Sequence, residues 1–360
     1  MSSNLNEEIK KISIGEKEFR KITNILKYYS IEPEHIEKLR CVYKIKYNNK
    51  NYCLKKIRKG NKKILKSLYL IEYLKKNGFI NIASYISVRE GLEYIKTKNS
   101  IYYMTEWIEG RECNLYDLEE LKRASSLLAD FHIKSKGFYS KEAKLENTIK
   151  NWSLELRKVK HDILRFKKSI ESKRVKTIFD IEYSDGINTV LEFLDLSIEM
   201  IDKSNYNDLM KKAKIERCIC HDSFYYKNII VDDSLKMYLI NFDSVVYDIH
   251  VYDLAKFIRR ILYKRIYSWD FNVAKELISS YTQINKLSKE ELKVLLSLII
   301  FPQKFWKLGK KRYYKNKKWD EEKYIKKLTR ILQYMDNQKE FIKRYTDFYE
   351  IDKKMDDNEN

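Results

Sequence analysis

Residues 219–231, ICHDSFYYKNIIV, set a polar loop between two apolar runs. His221, Asp222, Ser223 and Asn228 fall in that loop. Asn241 and Asp243 follow a second apolar run, 237–240. Groups of these types at the ends of short strands could do two kinds of chemistry. A carboxylate can take a proton from a substrate hydroxyl as a general base. Carboxylate and amide oxygens can hold a hard cation, the carboxylate much the better of the two.

The elements that must position these groups can be read from the hydrophobic pattern. Residues 1–40 read as helical and charged. Residues 41–47 and 52–57 alternate around Asn48-Asn49, which predicts a strand hairpin. Residues 61–77 carry Ile64, Leu68, Ile71 and Leu74 on one helical stripe. Short strands are expected near 81–88, 92–96 and 100–106. After Gly110 the pattern turns helical, with Asp117 and Glu120 as a capping-box-like start. Residues 139–217 form a basic, mainly helical stretch, 218–242 return to strand-like pieces, and from Val251 the chain is helical. The last residues, 351–360, read as a disordered acidic tail. The layout predicted is α+β in two lobes: a small antiparallel-sheet lobe over 1–106, then a larger helical lobe over 107–350.

Composition narrows the partners. The chain has 360 residues and 44% hydrophobic content, enough for a sizeable core. Lys plus Arg is 73 against 52 Asp plus Glu, a net charge of +21. Such a charge invites polyanion or nucleic-acid binding. Abundant Lys, Ile, Asn and Tyr with few Ala, Gly and Pro instead suggest an AT-rich genome, so nucleic acid is not the expected partner. Association with acidic partners at low salt remains expected. With 8 Gly and 2 Pro, collagen-like and linker-like chains are excluded. Five cysteines, with only Cys218 and Cys220 close together, make a poor zinc signature and suggest reduced, mostly buried thiols. The start has no apolar signal region. The longest apolar run, 294–301, is too short to span a bilayer, so no membrane partner is expected.

The 219–255 region resembles the catalytic region of the aminoglycoside phosphotransferase and choline kinase superfamily, bacterial relatives of protein kinases. The common form there is H-G-D-x-x-x-x-N, a short hairpin, I-D-[FW], then D-x-x-x-x-D-L-A. Here His221, Asn228, the hairpin 229–240 and Asp248 through Asp253-Leu-Ala255 keep that spacing. Within the superfamily the chain is most similar to the CotS family of spore coat proteins, over roughly residues 40–345. Glu106-Trp-Ile-Glu-Gly110-Arg-Glu-Cys113, Leu128-Ala-Asp-Phe131-His132, Cys220-His221 with Tyr225-Tyr226, and Asp253 through Arg259-Arg260 carry that likeness.

The resemblance implies a protein-kinase-like fold that positions ATP and magnesium for phosphoryl transfer, a reaction in which the protein mostly places groups and neutralises charge. Lys55 is the expected phosphate-gripping lysine, with small Cys53 on its face and Glu72 its expected carboxylate partner. Residues 104–108 would form the hinge, with Glu106 and Ile108 offering backbone groups to an adenine. Asn228, Asn241 and Asp243 are the expected metal positions.

Two departures stand out. Ser223 occupies the place of the catalytic carboxylate, and Asn241 that of the metal-binding one. A hydroxyl is no general base at neutral pH, and an amide brings no charge to a cation. Asp222 is offset by one residue. Asp243 lies two residues on and would reach the same side if the backbone stays extended. No glycine lies between Gly15 and Gly60, so no Gly-rich cover exists at the first hairpin. A weak or absent phosphotransferase activity is therefore expected, a pseudokinase, with ATP and magnesium as cofactors or none at all. The alternative is an active phosphotransferase on a small molecule or coat protein, in which Asp222 and Asp243 substitute.

Other candidates read as structural. His132 ends an apolar helix. His221 and Asp253 are expected to pair as scaffold. His161-Asp162 reads as a solvated pair. Residues 307–318 hold seven basic residues, no acidic ones and several aromatics, and read as a solvated face that could otherwise meet phosphate backbones. By resemblance the partners are other spore coat proteins, and the location is the mother-cell cytoplasm, then the coat.

Overall fold

A computed structural model of the chain describes residues 11–12, 14–39, 42–58, 63–88, 94–141, 149–315 and 317–351. The chain divides into two units. One takes in Met1–Cys113, Phe138–Leu145 and Tyr226–Val245, and the other Asn114–Gly137, Glu146–Tyr225 and Val246–Asn360. The first unit thus runs past Glu106 and also includes the hairpin around 229–239.

The first unit is built on a seven-stranded antiparallel sheet. Its elements are β1 (Lys11–Ile12), α1 (Glu16–Leu26), β2 (His35–Leu39), β3 (Val42–Tyr47), β4 (Lys50–Arg58), α2 (Lys63–Lys76), β5 (Tyr85–Ile86), β6 (Ile95–Lys96) and β7 (Ser100–Glu106). The strand order is β1-β2-β3-β4-β7-β5, with β6 also on β7. The β3–β4 turn is the expected one. Asn48 and Asn49 take φ of 48° and 56°, the left-handed pair a two-residue hairpin needs.

Alternation sets the two faces of the sheet. Tyr43, Ile45, Leu54, Tyr102 and Met104 pack with Ile22 and Leu26 of α1. Ile57, Ile101 and Tyr103 pack on the other side with Leu68 of α2. Lys55 pairs in register with Tyr103, so both share this second face.

Part of the N-terminal expectation fails. Residues 35–39 are a strand, not helix, because β2 pairs with β3 from His35↔Lys46 to Leu39↔Val42. Its charged residues disguise a strand held between β1 and β3, where pairing overrides local propensity. The strands near 81–88 and 92–96 shrink to two residues each. The expected acidic tail lies outside the described residues beyond Ile351.

A second small sheet completes the first unit. In it β8 (Arg111–Glu112) pairs with β10 (Ile229–Val231), and β10 with β11 (Met237–Leu239). Gly110, at φ 139°, leaves no space for a side chain: a Cβ there would sit 2.3 Å from the Val231 carbonyl oxygen. Asn81 ties this sheet to the chain after α2. Its side-chain amide donates to the Met237 carbonyl at 2.7 Å, and its own carbonyl accepts from Leu239 N–H at 2.8 Å.

The second unit is helical, apart from a two-stranded ladder of β9 (Ile219–Cys220) and β12 (Val246–Tyr247). Its helices are α3 (Leu118–Ser135), α4 (Trp152–Glu171), α5 (Ile178–Asp202), α6 (Tyr206–Ile215), α7 (Val251–Leu262), α8 (Phe271–Thr282), α9 (Lys289–Ile300), α10 (Gln303–Gly309), α11 (Glu321–Leu332) and α12 (Met335–Phe348). The closest packed pairs are α3 with α8, α7 with α9, and α4 and α9 with α5. Asp117 caps α3 as expected, accepting from the N–H groups of Glu119 and Glu120. Glu120 does not close the box; its carboxylate turns back to the N–H of Asn114 at 2.7 Å.

Candidate functional site

In the first unit the sequence candidates converge on Lys55. Its ammonium donates to Asn241 Oδ1 at 2.5 Å and forms an ion pair with Asp243 Oδ2. The Tyr103 hydroxyl donates to the other Asp243 oxygen at 3.0 Å. Burial, then Tyr85 and Asp243, pushes the Tyr103 hydroxyl well above its ordinary pKa, so it stays a donor. The two acceptors come from one tight turn. Asn241 takes the left-handed conformation, φ 72°, and Phe242–Ser244 form a 3-10 turn. The expected extended backbone is absent; the turn is what brings positions 241 and 243 to the same ammonium.

Glu72 does not fill its expected role. It lies exposed on α2, and among the described residues the Lys55 ammonium makes no pair with it. Asn228 is buried, and its carbonyl accepts from Ile240 N–H at 3.0 Å, closing the hairpin on the 241–243 turn. Glu106 ends β7 with an exposed side chain, whose carboxylate accepts from Ser84 N–H at 3.1 Å. Ile108 is half-buried.

Magnesium, which the resemblance implies, needs charged oxygen ligands. Asn228, Asn241 and Asp243 bring one carboxylate among them, and Lys55 and Tyr103 already bond it. An ammonium thus neutralises the charge a divalent cation would need, and the set does not fit the ion.

The second unit holds the 221–225 loop. Asp222 has φ 59°, at the position that is glycine in the common H-G-D form. Its side chain accepts from the Tyr252 hydroxyl at 2.8 Å and pairs with the Lys256 ammonium, which also bonds the Asp222 carbonyl. Burial would raise the Asp222 pKa, but Lys256, Tyr252 and Lys150 outweigh it and hold the carboxyl below its ordinary range. A carboxylate so stabilised is a poor proton acceptor. The Ser223 hydroxyl lies 3.4 Å from His221 Nδ1.

Asp253 secures the loop from beneath. It accepts from the backbone N–H of His221 and, at 3.0 Å, from that of Asp222. The expected His221–Asp253 partnership therefore runs through the backbone. His132 is fully buried, bonded to the Tyr281 hydroxyl at 2.7 Å and stacked on His250 with ring centres 4.2 Å apart. His132, Cys220 and Asp253 come close enough to suggest a metal trio. However, the Cys220 thiol donates to the Ile249 carbonyl at 3.2 Å, and burial pushes its pKa well up, so it serves as a neutral donor. Cys113 and Cys218 are buried and Cys53 half-buried, none of the three in a disulfide, and Cys41 lies outside the described residues.

Two surface readings change. Asp162 is not a solvated partner of His161: it accepts from Trp306 Nε1 at 2.8 Å and from the Tyr314 hydroxyl at 2.9 Å. The basic stretch 307–318 is partly turned inward. Arg312 pairs with Glu321 at 2.7 Å, and Tyr313 donates to Asp180 at 2.9 Å.

Sequence reasoning missed Tyr103, Tyr252 and Lys256. Only the β4–β7 register reveals Tyr103. The i, i+4 spacing of Tyr252 and Lys256, one turn apart on a helix, was a legible signal.

The chain matches the family described as "Spore coat putative kinase YutH" over residues 22–345. It is 22% identical over 335 residues to Spore coat protein S of Bacillus subtilis (strain 168), covering 91% of this chain and 94% of that protein. Its fold is similar to that of an aminoglycoside phosphotransferase from Alicyclobacillus acidocaldarius subsp. acidocaldarius DSM 446. That likeness has a TM-score of 0.83 at 15% identity, over 96% of this chain and 99% of that one. A spectinomycin phosphotransferase solved with ADP and spectinomycin is similar at TM-score 0.59 and 15% identity, over 91% of this chain and 97% of that one. The chain has the kinase-like fold of the aminoglycoside phosphotransferases and choline kinases, and it belongs to the YutH family of spore coat proteins.

Proposed function

We propose that this protein is a kinase-fold component of the spore coat that acts by association in coat assembly and transfers phosphate weakly or not at all. The observation that carries the reading is the state of Asp243. It is the one carboxylate of the expected metal set, and Lys55 and Tyr103 occupy it. Ser223 offers no base, and Asp222 is held by Lys256. Losing a general base alone costs about 10²–10⁴-fold in rate. Membership of a spore coat family supports this reading, in which the partners are other coat proteins and the location is the mother-cell cytoplasm and then the coat. No helix among the described residues is long and apolar enough to cross a membrane.

One observation favours a second reading, an active phosphotransferase using ATP and magnesium. Asp243 reaches the same ammonium as Asn241, so it could replace the missing carboxylate once nucleotide draws Lys55 away. Purified protein is assayed for ATP turnover with and without magnesium, beside Asp243→Ala and Asp222→Ala, and for co-sedimentation with isolated coats. Background turnover with coat association is expected. Robust magnesium-dependent turnover abolished in Asp243→Ala would overturn the first reading in favour of the second.

A further inference from the structure

The end of α7 and the start of α10 bring cations together without matching carboxylates. Lys256, Arg259 and Arg260 are spaced i, i+3 and i+4, so they share one side of α7. Lys304 and Lys307 are one turn apart on α10. Two reciprocal contacts clamp the helices. The Arg259 guanidinium lies over the Phe301 ring at 5.4 Å, and the Lys304 ammonium over the Tyr263 ring at 3.4 Å. Arg260 lies over Tyr225 at 5.0 Å and donates to the Phe224 carbonyl at 3.1 Å, which brings the cluster to the 221–225 loop.

The charges do not balance. Of these five cations, only Lys256 bonds a carboxylate among the described residues, that of Asp222. Arg259 donates to the Leu298 carbonyl, a neutral group. Lys304 and Lys307 have no carboxylate partner among the described residues. Both side chains are exposed, yet enough protein surrounds their ammonium groups that desolvation is the main force lowering their pKa, that of Lys304 to about 7. Repulsion from Lys264 and then Arg259 acts on Lys304, and that from Arg259, Lys256 and Arg260 on Lys307. Crowded like charges of this kind are relieved by an anion.

We propose that the exposed Arg260, Lys304 and Lys307, with the buried charges of Lys256 and Arg259 behind them, form a binding site for a multiply charged oxyanion ligand, one that presents clustered phosphates or carboxylates. Aromatic faces lie beneath four of the cations, Lys256 over Tyr252 at 4.5 Å being the fourth, and hold them in place, so little side-chain freedom is lost on binding. The site would select against polycationic ligands, because like charges brought together cost affinity. It requires neither nucleotide nor metal, so it stands apart from the phosphotransfer question.

The test is calorimetric titration of the full chain with tripolyphosphate and, separately, citrate, without magnesium, at about 0.15 M ionic strength. Saturable one-site binding of either probe is expected. Lys304→Gln/Lys307→Gln should weaken it about tenfold or more, the effect of roughly 1.4 kcal/mol. Arg260→Gln, an exposed position, should weaken it in the same direction and guards against misfolding of the double variant. Lys75→Gln/Lys76→Gln removes the same charge from α2, which contributes no side chain to the proposed site, and should leave affinity within about twofold. Failure of both probes to bind, or equal weakening by the α2 variant, overturns the proposal. Tighter binding of tripolyphosphate or of citrate identifies which oxyanion the site takes.

Discussion

The Lys55 ammonium and the Asp243 carboxylate form an ion pair across 188 residues of sequence, with side chains only 15% and 17% exposed. The pair joins β4 to the 241–243 turn, and Tyr103 holds its other carboxylate oxygen. Asn241, also on Lys55, adds an acceptor but no charge. The contact is thus a structural tie between β4 and the turn.

Removing one partner should cost more than removing both. Asp243→Ala leaves Lys55 part-buried with one neutral acceptor and should lower stability by about 1–3 kcal/mol. Lys55→Met should cost a similar amount, and the double variant less than the sum. A double-mutant cycle by urea denaturation checks this; a coupling within about 0.5 kcal/mol of zero would show that the pair is idle.

Asp222 carries two opposed contributions. Its φ of 59° is unfavourable for a side chain, while its pair with Lys256 is favourable. Asp222→Ala keeps the strain and loses the pair, whereas Asp222→Gly loses the pair and relieves the strain. The glycine variant should therefore be the more stable by about 1 kcal/mol. Thermal or urea melting of the two, side by side, is the check.

The sequence made the fold readable where periodicity was strong. Leu68, Ile71 and Leu74 marked α2, and Tyr43 and Ile45 marked β3; all are buried. It failed where tertiary pairing decides, as at β2, whose charged residues mimic a surface helix. The site was half legible. Spacing from a known form pointed to Lys55, Asn241 and Asp243, but the lysine's partner was assigned to Glu72. Sequence spacing carries no information on a left-handed residue at Asn241, and that one dihedral decides which carboxylate reaches Lys55.

Gly110 should be intolerant of any side chain. Its φ of 139° is costly for other residues, and a Cβ would meet the Val231 carbonyl oxygen at 2.3 Å and its carbon at 2.8 Å, both backbone atoms that cannot rotate aside. Gly110→Ala must part β8 from β10, with a cost of about 3 kcal/mol or more. Amide hydrogen exchange should show Cys113 N–H, which donates to the Ile229 carbonyl at 2.9 Å, losing protection in this variant. Unchanged protection would mean that the strands are not locked there.

His132 should make the fold sensitive to acid. Burial, and then repulsion from His221, lowers its pKa from 6.5 to about 3. The unfolded chain binds a proton at this position near pH 6.5 and the folded chain does not until about pH 3. Between those values the unfolded state holds more protons, so this group's contribution to stability falls as pH falls. Asp248 acts in the opposite direction: burial pushes it up to about 7, so it loses stability as pH rises through that window. A variant comparison isolates the histidine. His132→Gln can still accept from Tyr281 and has nothing to protonate. Its destabilisation relative to the parent, measured by urea melting at pH 7.5, should shrink by about 2 kcal/mol at pH 5. A pH-independent difference, or an imidazole signal for His132 that titrates near 6 by nuclear magnetic resonance, would show that the ring is not held neutral in the core.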